Sequence, residues 1–312
     1  MTPPNLPLLK REAFGPYTLL TLGTPTTHVS FVAERSAYVH QVRLKGMDLL
    51  FNYPSGEALT GNKGHRNLAL LPFPNRLLEG EYTWDGRSLT FEVNKPDTRS
   101  ALHGFGPGAR FELESIDLST TEATARLRYL HRASDHPDSY PFDVRFDCVL
   151  SVDCEHGTAL WQLTATNIGS EDAPVGLGWH PYFLLPGGAD AWSLQMPPNE
   201  QVVLERAIPT GELAAGQNVE GGTIDTAWDD CFKLTSATER EAVLRGPAGQ
   251  LSLKQAGDTR YTQLYVPPGA ESVAIEPMTC SVNAFQNRQA EVRITPGGSV
   301  TTSMQLSWEP VT

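Results

Sequence analysis

Apolar and polar residues alternate with a period of two along several stretches of the chain. From residue 142 to residue 153 the even positions are all apolar, and the odd positions are polar or charged except for Val149. Residues 300–309, 123–129 and 89–93 show the same alternation. Successive side chains of a β-strand point to opposite faces, so this pattern predicts half-buried strands.

Turn residues separate these predicted strands. Asp85-Gly86 lies between Tyr82-Thr83-Trp84 and the strand around Leu89, and Lys45-Gly46 lies between two other apolar runs. Such pairs favour tight β-hairpins. Glycine and proline, 27 and 24 in number, are spread along the whole chain, and no long amphipathic helix is visible. The sequence therefore predicts an all-β protein, a large antiparallel β-sandwich, with a barrel or two stacked subdomains as alternatives.

Charge and cysteine usage narrow the class of protein. The 312 residues carry a formal net charge of −12, which repels nucleic acid and anionic membranes, although such a balance mainly serves solubility. The four cysteines form no Cys-x-x-Cys pair. The N-terminus has no apolar stretch typical of a signal peptide, and no run of about 18 apolar residues is present to span a membrane. We therefore expect a cytoplasmic protein without nucleic-acid or membrane partners.

Two segments carry residues suited to binding a polar ligand. In Leu71-Pro72-Phe73-Pro74-Asn75-Arg76, two prolines restrict the backbone and the last two side chains offer several donors. The planar donor fork of Arg76 suits adjacent hydroxyls, although a plain loop in which Arg76 pairs with Glu79 or Glu81 is the alternative. In Leu102-His103-Gly104-Phe105-Gly106, glycines let the backbone approach a ligand closely, and an ordinary turn histidine is the alternative.

Three more segments carry titratable groups. Gly178-Trp179-His180-Pro181-Tyr182-Phe183 places an imidazole among aromatic rings, either in a ligand pocket whose wall Trp179, Tyr182 and Phe183 form or in a packed core. Glu276 follows the apolar run Val273-Ala274-Ile275. If Glu276 points inward, burial raises its pKa from about 4.3 toward the strength of a base, and if it points outward it is a strand-end charge. Asp229 lies beside Trp228, either in a site or in a polar turn.

Other motifs predict no cofactor. No His-x-His, His-x-x-x-His or Cys/His spacing indicates a zinc site, and no nucleotide-binding glycine motif follows a strand and opens a helix. His65 can border a pocket, and His40 lies on an apolar strand face. Three histidines lie in polar stretches typical of loops: His131, His136 and His156. We expect neither metal nor cofactor, with a metal held jointly by distant histidine and carboxylate side chains as the alternative.

Taken together and in order, five of these segments resemble the aldose 1-epimerase (galactose mutarotase) superfamily. They are Pro74-Asn75-Arg76, Leu102-His103-Gly104, Gly178-Trp179-His180-Pro181-Tyr182-Phe183, Asp229-Asp230-Cys231-Phe232 and Ile275-Glu276-Pro277-Met278-Thr279. The resemblance runs from about residue 15 to the C-terminus. It implies a large antiparallel β-sandwich, in agreement with the periodicity. We expect one domain over residues 1–312, with residues 1–14 as a loose N-terminal extension.

The resemblance also implies an activity and the residues that carry it. Members of this family interconvert the α and β anomers of free sugars without a cofactor. Glu276 would be the general base and His180 the general acid. His103 would hydrogen-bond the sugar and help to polarise the ring oxygen. A positioned acid or base typically contributes about 10²–10⁴-fold to a rate.

The same resemblance implies which side chains would bind the hydroxyl groups of the sugar. The resemblance implies this role for Arg76 and Asn75. Asp229 matches the acidic binding residue of the family better than Asp230, because Asp229 lies three residues before Phe232.

Two positions depart from the best-known pattern of the family. In that branch the catalytic histidine is followed, after one residue, by Tyr-Phe-Asn, whereas here Pro181 is the intervening residue and Leu184 replaces the asparagine. The chain thus resembles the diverse epimerase-like branch, and the substrate is open. A hexose-6-phosphate mutarotase is an alternative, for which Lys63, His65 and Arg66 are a candidate basic cluster.

Two other classes of protein compete with a mutarotase. A non-catalytic carbohydrate-binding protein would keep the pocket, but it would not require Glu276, His180 and His103 together. A glycoside hydrolase would ordinarily use two carboxylates, for which Glu276 and Asp229 are the candidates. In each case we expect a small-molecule sugar as the partner and a monomer or homodimer as the assembly.

Overall fold

Strands make up nearly all of the regular structure. The computed structural model describes residues 6–311, except for the side chain of Pro107. The elements up to residue 131 are β1 (Leu8–Phe14), β2 (Tyr17–Gly23), β3 (His28–Val32), β4 (Tyr38–Leu44), β5 (Met47–Asp48), α1 (Gly56–Gly61), β6 (Ala69–Leu70), β7 (Arg76–Leu78), β8 (Glu81–Trp84), β9 (Arg87–Thr90), β10 (Ser100–Leu102), β11 (Glu112–Leu118) and β12 (Glu122–His131).

The remaining elements continue the same pattern. They are β13 (Val144–Asp153), β14 (Thr158–Asn167), β15 (Ala173–Pro174), β16 (Gly178–Trp179), β17 (Tyr182–Phe183), β18 (Ser193–Gln195), β19 (Asn199–Glu205), β20 (Ile208–Ala214), β21 (Gly222–Thr223), β22 (Asp229–Leu234), β23 (Glu241–Gly246), β24 (Gly249–Gly257), β25 (Tyr261–Tyr265), β26 (Val273–Met278), α2 (Ala284–Asn287), α3 (Gln289–Val292), β27 (Arg293–Ile294) and β28 (Ser299–Pro310). Within residues 6–311, no helix is long and apolar enough to cross a membrane.

Three large antiparallel sheets form the protein. A five-stranded sheet has the order β1-β2-β3-β4-β5, and a nine-stranded sheet has the order β11-β12-β13-β14-β28-β24-β23-β18-β21. An eight-stranded sheet has the order β20-β19-β22-β25-β26-β16-β6, with β17 also paired to β26. Buried side chains from all three sheets join one hydrophobic cluster. The fold is thus the predicted all-β antiparallel sandwich, with its core between sheets.

The strands predicted from periodicity are confirmed. In β13, residues at even positions such as Phe146 are buried and those at odd positions are partly exposed, and β28 and β12 cover the other two long runs. Burial of each large apolar side chain contributes roughly 1.5–3 kcal/mol. The run at residues 89–93 is a strand only as far as Thr90. Asp85-Gly86 and Lys45-Gly46 form the two hairpin turns, with positive φ angles at all four residues.

The expectation of a loose extension over residues 1–14 is wrong for residues 8–14. These residues form β1, which pairs with β2 in unbroken register from Leu8 opposite Gly23 to Phe14 opposite Tyr17. The backbone hydrogen bonds of an antiparallel ladder therefore hold the segment in place, although most of its side chains are exposed. Residues 1–5 lie outside the described part of the chain.

The pairing of β22, β25 and β26 prepares a binding surface. Gln263 of β25 lies opposite Glu276 of β26, and Asp229 of β22 lies opposite Tyr265 of β25. Because side chains alternate between faces, these four residues project from the same face of the sheet. The short pair β7 and β10, in which Arg76 lies opposite Leu102, approaches from the other side and brings His103 to the same place.

Candidate active site

One cavity of about 260 Å³ brings together all six site residues predicted from the sequence. They come from segments as far apart in the chain as residue 75 and residue 276. The complete lining is Gly64, His65, Asn75, Arg76, Asn94, Lys95, Leu102, His103, His180, Tyr182, Asp229, Gln263, Tyr265 and Glu276. Such a concave site with convergent polar groups has the size and chemistry to hold a small polar ligand.

Glu276 and His180 face each other in a buried part of this cavity. Nε2 of His180 lies 3.5 Å from Oε1 of Glu276, and the two residues are 6% and 2% exposed. Burial raises the pKa of Glu276 well above its usual value, and the charge of Asp229 raises it further. Burial lowers the pKa of His180 to about 3. Both shifts favour the uncharged form of the residue concerned. With one proton between them, protonated Glu276 and neutral His180 therefore form an uncharged pair.

Each member of the pair keeps one polar atom without a protein partner. Oε2 of Glu276 and Nδ1 of His180 are buried, and neither makes a hydrogen bond to any of residues 6–311. An unpaired buried polar atom ordinarily costs about 1–3 kcal/mol. One carboxyl oxygen and one imidazole nitrogen of the pair therefore have unused hydrogen-bonding capacity, and both residues line the cavity.

His103 is held by the backbone of Asn75 in two places. The Asn75 N–H donates to Nδ1 of His103 across 3.0 Å, and the His103 N–H donates to the carbonyl oxygen of Asn75 across 2.8 Å. A peptide N–H can only donate, so Nδ1 is an acceptor and the neutral ring carries its hydrogen on Nε2. Burial lowers the pKa of His103, and the neighbouring His65 adds to the effect.

Four side chains close a ring of hydrogen bonds on another wall. Arg76 donates from one terminal nitrogen to Oδ1 of Asn75 and from the other to Oδ2 of Asp229, each across 3.1 Å. The amide of Asn75 donates to Oε1 of Gln263 across 3.0 Å, and Nε2 of Gln263 donates to Oδ1 of Asp229 across 2.8 Å. Asp230 does not line the cavity and binds the amide of Gln201 instead. Of these two acidic residues, Asp229 lines the cavity and Asp230 does not.

Asn67, which the sequence did not single out, organises the segment around His180. Its N–H donates to the carbonyl oxygen of His180 across 2.8 Å, and its amide oxygen accepts the N–H of Tyr182 across 2.9 Å. Its carbonyl oxygen accepts from the indole of Trp179 across 3.2 Å, and its amide donates to the carbonyl oxygen of Phe51 across 3.1 Å. Asn67 is fully buried with φ of +57°. One residue thus fixes the backbone on both sides of the imidazole.

The structure corrects the expected surroundings of His180. Only Tyr182 among its aromatic neighbours in sequence lines the cavity, where its ring stacks on His180 with centroids 4.9 Å apart. Trp179 stacks instead on Trp161 in the core, and Phe183 is also buried there. The two flanking rings therefore support the backbone of the segment and do not form the cavity wall.

His131, which the sequence analysis assigned to a loop, lies instead at the buried end of a strand. His131 ends β12, is fully buried and shares a hydrogen bond with His136 across 2.9 Å. Both imidazoles stack on Phe105. His131 lies on the same face of β12 as Ala123, Ala125 and Leu127, so its burial continues the alternation of that strand.

Several lining residues were missed in the sequence. Gln263 and Tyr265 lie in a short strand between loops, and Asn94 and Lys95 lie in an irregular segment before β10. No spacing rule marks any of them, because only the pairing of distant strands and loops brings them to the cavity. Among residues 6–311, no group of three His, Cys, Asp or Glu side chains has the arrangement of a metal site.

Comparison with known proteins places the chain among sugar epimerases. The sequence profile of the aldose 1-epimerase family matches residues 19–307. The Escherichia coli K12 protein YihR is 28% identical over 234 residues, which are 72% of each chain. A galactose mutarotase-like protein from Clostridium acetobutylicum superposes with a TM-score of 0.85 at 16% identity, over 98% of this chain and 99% of the other. Galactose 1-epimerase from Lactobacillus acidophilus superposes with a TM-score of 0.82 at 14% identity, over the same shares. At such low identity, these two superpositions establish the fold alone.

Proposed function

The chain belongs to the aldose 1-epimerase family, and from that premise we propose that it is a sugar mutarotase. It would interconvert the α and β anomers of a free aldose by opening and closing the sugar ring. The observation that carries the proposal is the buried pair of Glu276 and His180, with Nε2 and Oε1 3.5 Å apart and one further polar atom on each residue that none of residues 6–311 binds. A carbohydrate-binding protein would have no need of an acid and a base so placed.

The reaction requires one proton to leave the sugar and another to enter it. Glu276 takes the proton of the anomeric hydroxyl, and His180 gives a proton to the ring oxygen. The bond between the anomeric carbon and the ring oxygen breaks, its electron pair stays on the ring oxygen, and a carbonyl forms. Rotation about the first carbon–carbon bond presents the other face of the carbonyl. The steps then run in reverse, so acid and base end as they began.

The proton count of the pair fits this cycle. Protonated Glu276 with neutral His180 holds one proton, and ionised Glu276 with protonated His180 also holds one. The working form therefore arises from the resting form by a proton shift inside the pair, with no exchange with solvent. The low pKa of His180, about 3, makes its protonated form a strong acid once it is formed. The raised pKa of Glu276 makes its ionised form a strong base.

The other predicted residues take supporting roles in this proposal. His103 donates Nε2–H to the ring oxygen and stabilises the charge that develops there. The ring of hydrogen bonds that joins Arg76, Asn75 and Asp229 holds donors and acceptors in place for sugar hydroxyls. Because these groups are already bound to one another, they need little reorganisation when the sugar enters.

The contacts bear on both alternatives. Of the candidate basic cluster, only His65 lines the cavity, because the guanidinium of Arg66 lies 4.3 Å above the ring of Phe51 and Lys63 is exposed to solvent. Lys95, which lies outside that cluster, also lines the cavity, so the measurement with hexose 6-phosphates decides between a free and a phosphorylated sugar. A second carboxylate for glycoside hydrolysis would have to be Asp229, which is occupied by Arg76 and Gln263.

Polarimetry on freshly dissolved α-sugars tests the proposal. We expect the protein to accelerate the equilibration of at least one free aldose in a panel that includes hexose 6-phosphates. Acceleration of no sugar, together with measurable sugar binding, would favour the carbohydrate-binding alternative. Acceleration of a 6-phosphate alone would favour the phosphate-specific alternative.

A further inference from the structure

A third histidine, His65, lies on the cavity wall beside the proposed catalytic residues. Its ring meets that of His103 edge to face, with centroids 4.9 Å apart. His103 in turn meets His180 in the same manner at 5.3 Å. His103 is thus in ring contact with both neighbours, whereas no ring contact joins His65 to His180, both of which lie in the described part of the chain. The mechanism proposed above assigns no task to His65.

The surroundings of His65 fix which nitrogen is free. Nδ1 lies 2.9 Å from the amide nitrogen of Asn62, which can only donate. The amide oxygen of Asn62 accepts from the hydroxyl of Tyr53 at 3.5 Å, in agreement with this orientation of the amide. With Nδ1 as an acceptor, the neutral ring carries its hydrogen on Nε2. Burial lowers the pKa of His65 to about 4, so the ring is neutral at pH 7.

We propose that His65 binds the substrate and helps to select it, by donating Nε2–H to a sugar hydroxyl away from the anomeric carbon, on C4 or C6. The position along the sugar rests on the proposed function, in which the anomeric carbon lies at Glu276 and His180 and the ring oxygen lies at His103. The next group beyond the ring oxygen is the C5 carbon with its C6 hydroxyl, and then C4. A donor beyond His103 therefore meets the side of the sugar that distinguishes many aldoses from one another.

Selection follows from the cost of an unpaired donor. A sugar that lacks the matching hydroxyl would leave the His65 N–H without an acceptor in a partly buried position. Sites built to hydrogen-bond a hydroxyl reject analogues that lack it much more strongly than apolar pockets do. His65 would thus influence which sugar binds, while Glu276 and His180 open and close the bond between the anomeric carbon and the ring oxygen.

A cycle of protein variants and deoxy sugars tests the inference. His65→Asn is the matched variant, because residue 65 has φ of +52°, which asparagine tolerates, while the shorter side chain withdraws the donor. The ligands are the parent sugar with the strongest response and its 2-deoxy, 4-deoxy and 6-deoxy forms. Equilibrium binding by calorimetry and anomer exchange by polarimetry are both measured. His156→Asn, at an exposed turn, is the control and should match the unaltered protein.

We expect the unaltered protein to bind either the 4-deoxy or the 6-deoxy sugar about 3- to 10-fold more weakly than the parent. In His65→Asn, the parent should weaken by about the same factor and the penalty for that deoxy sugar should disappear. The inference is overturned if His65→Asn shows the same loss of affinity for the 4-deoxy and 6-deoxy sugars as the unaltered protein. It is also overturned if the variant removes the loss of affinity for the 2-deoxy sugar alone. If His65→Asn fails to fold, His65→Gly, which also tolerates the positive φ and has no side-chain donor, is taken through the same cycle.

The two readouts separate this inference from the proposed function. If sugars bind but their anomers equilibrate no faster, the mutarotase proposal fails while the binding cycle still decides the role of His65. If anomer exchange is accelerated but the cycle shows no coupling, the inference fails alone. If the unaltered protein binds no sugar, both fail.

Discussion

The peptide N–H of Asn75 donates to Nδ1 of His103 across 3.0 Å, and this bond determines the tautomer of a buried imidazole. The backbone that leads into β7 therefore holds His103 in place, in addition to the sugar-binding role proposed for the side chains of Asn75 and Arg76. It orients His103 so that its remaining N–H faces the cavity. We expect nitrogen NMR of the free protein to show Nδ1 of His103 unprotonated and Nε2 protonated from pH 6 to pH 9. A hydrogen on Nδ1 would contradict the assigned geometry.

Removal of this imidazole should affect both stability and rate. His103→Ala leaves the Asn75 N–H without its acceptor, which costs about 1–3 kcal/mol in the free energy of unfolding. Loss of the donor to the ring oxygen should lower kcat by about 10- to 10³-fold. Denaturant unfolding and anomer-exchange rates measure the two effects. His156→Ala, at an exposed turn, should change neither. A His103→Ala variant with unaltered kcat would exclude His103 from the chemistry.

Asn67 should act on catalysis through the position of His180. Asn67→Ala removes the acceptor for the Tyr182 N–H and places alanine at φ of +57°, so we expect a loss of about 2–4 kcal/mol in the free energy of unfolding. Displacement of the imidazole should lower kcat several-fold more than it raises KM. Asn218→Ala, which also has positive φ but lies away from the cavity, controls for backbone strain alone. Equal loss of kcat in both variants would contradict a positioning role for Asn67.

The shared proton of Glu276 and His180 predicts the dependence of the rate on pH. The folded pKa of His180 is depressed to about 3, so a second proton enters the pair only as the pH falls toward that value. The folded pKa of Glu276 is raised, so the pair loses its one proton only as the pH rises through that higher value. The rate should therefore be flat from about pH 5 up to the raised pKa of Glu276 and decline on either side of that range. A rate that follows a group with an ordinary histidine pKa near 6.5 would contradict the shared-proton account.

The fold could be predicted from the sequence because the alternation of β13 and β28 is local information. A half-buried strand shows its two faces in consecutive residues, whatever lies elsewhere in the chain. The edge strand β1 shows no such alternation, since both of its faces are largely exposed, and it was expected to be loose. The ladder with β2 holds it, and a ladder depends on a partner that the local pattern does not reveal.

The site was predictable only in part for the same reason. Segments with glycine, proline and titratable residues side by side, such as the one around His180, stand out in the sequence. Gln263 does not, because its role depends on the register that sets it opposite Glu276 and near Asp229. Trp179 and Phe183 were expected on the cavity wall because they flank His180. The strands β16 and β17 turn their rings into the core instead.

The rate of anomer exchange in Glu276→Gln decides whether the carboxylate of Glu276 is the base that opens the sugar ring. The substitution keeps the shape of the side chain and removes the base, and the folded protein should be at least as stable at pH 7, because a buried carboxyl with a raised pKa destabilises the fold above its unfolded pKa of about 4.3. His180→Asn, which removes the acid, is measured alongside. We expect each variant still to bind the sugar, and its rate of catalysed anomer exchange to be at least about 10²-fold lower than that of the unaltered protein. A well-folded Glu276→Gln protein that equilibrates the anomers at the unaltered rate would contradict it.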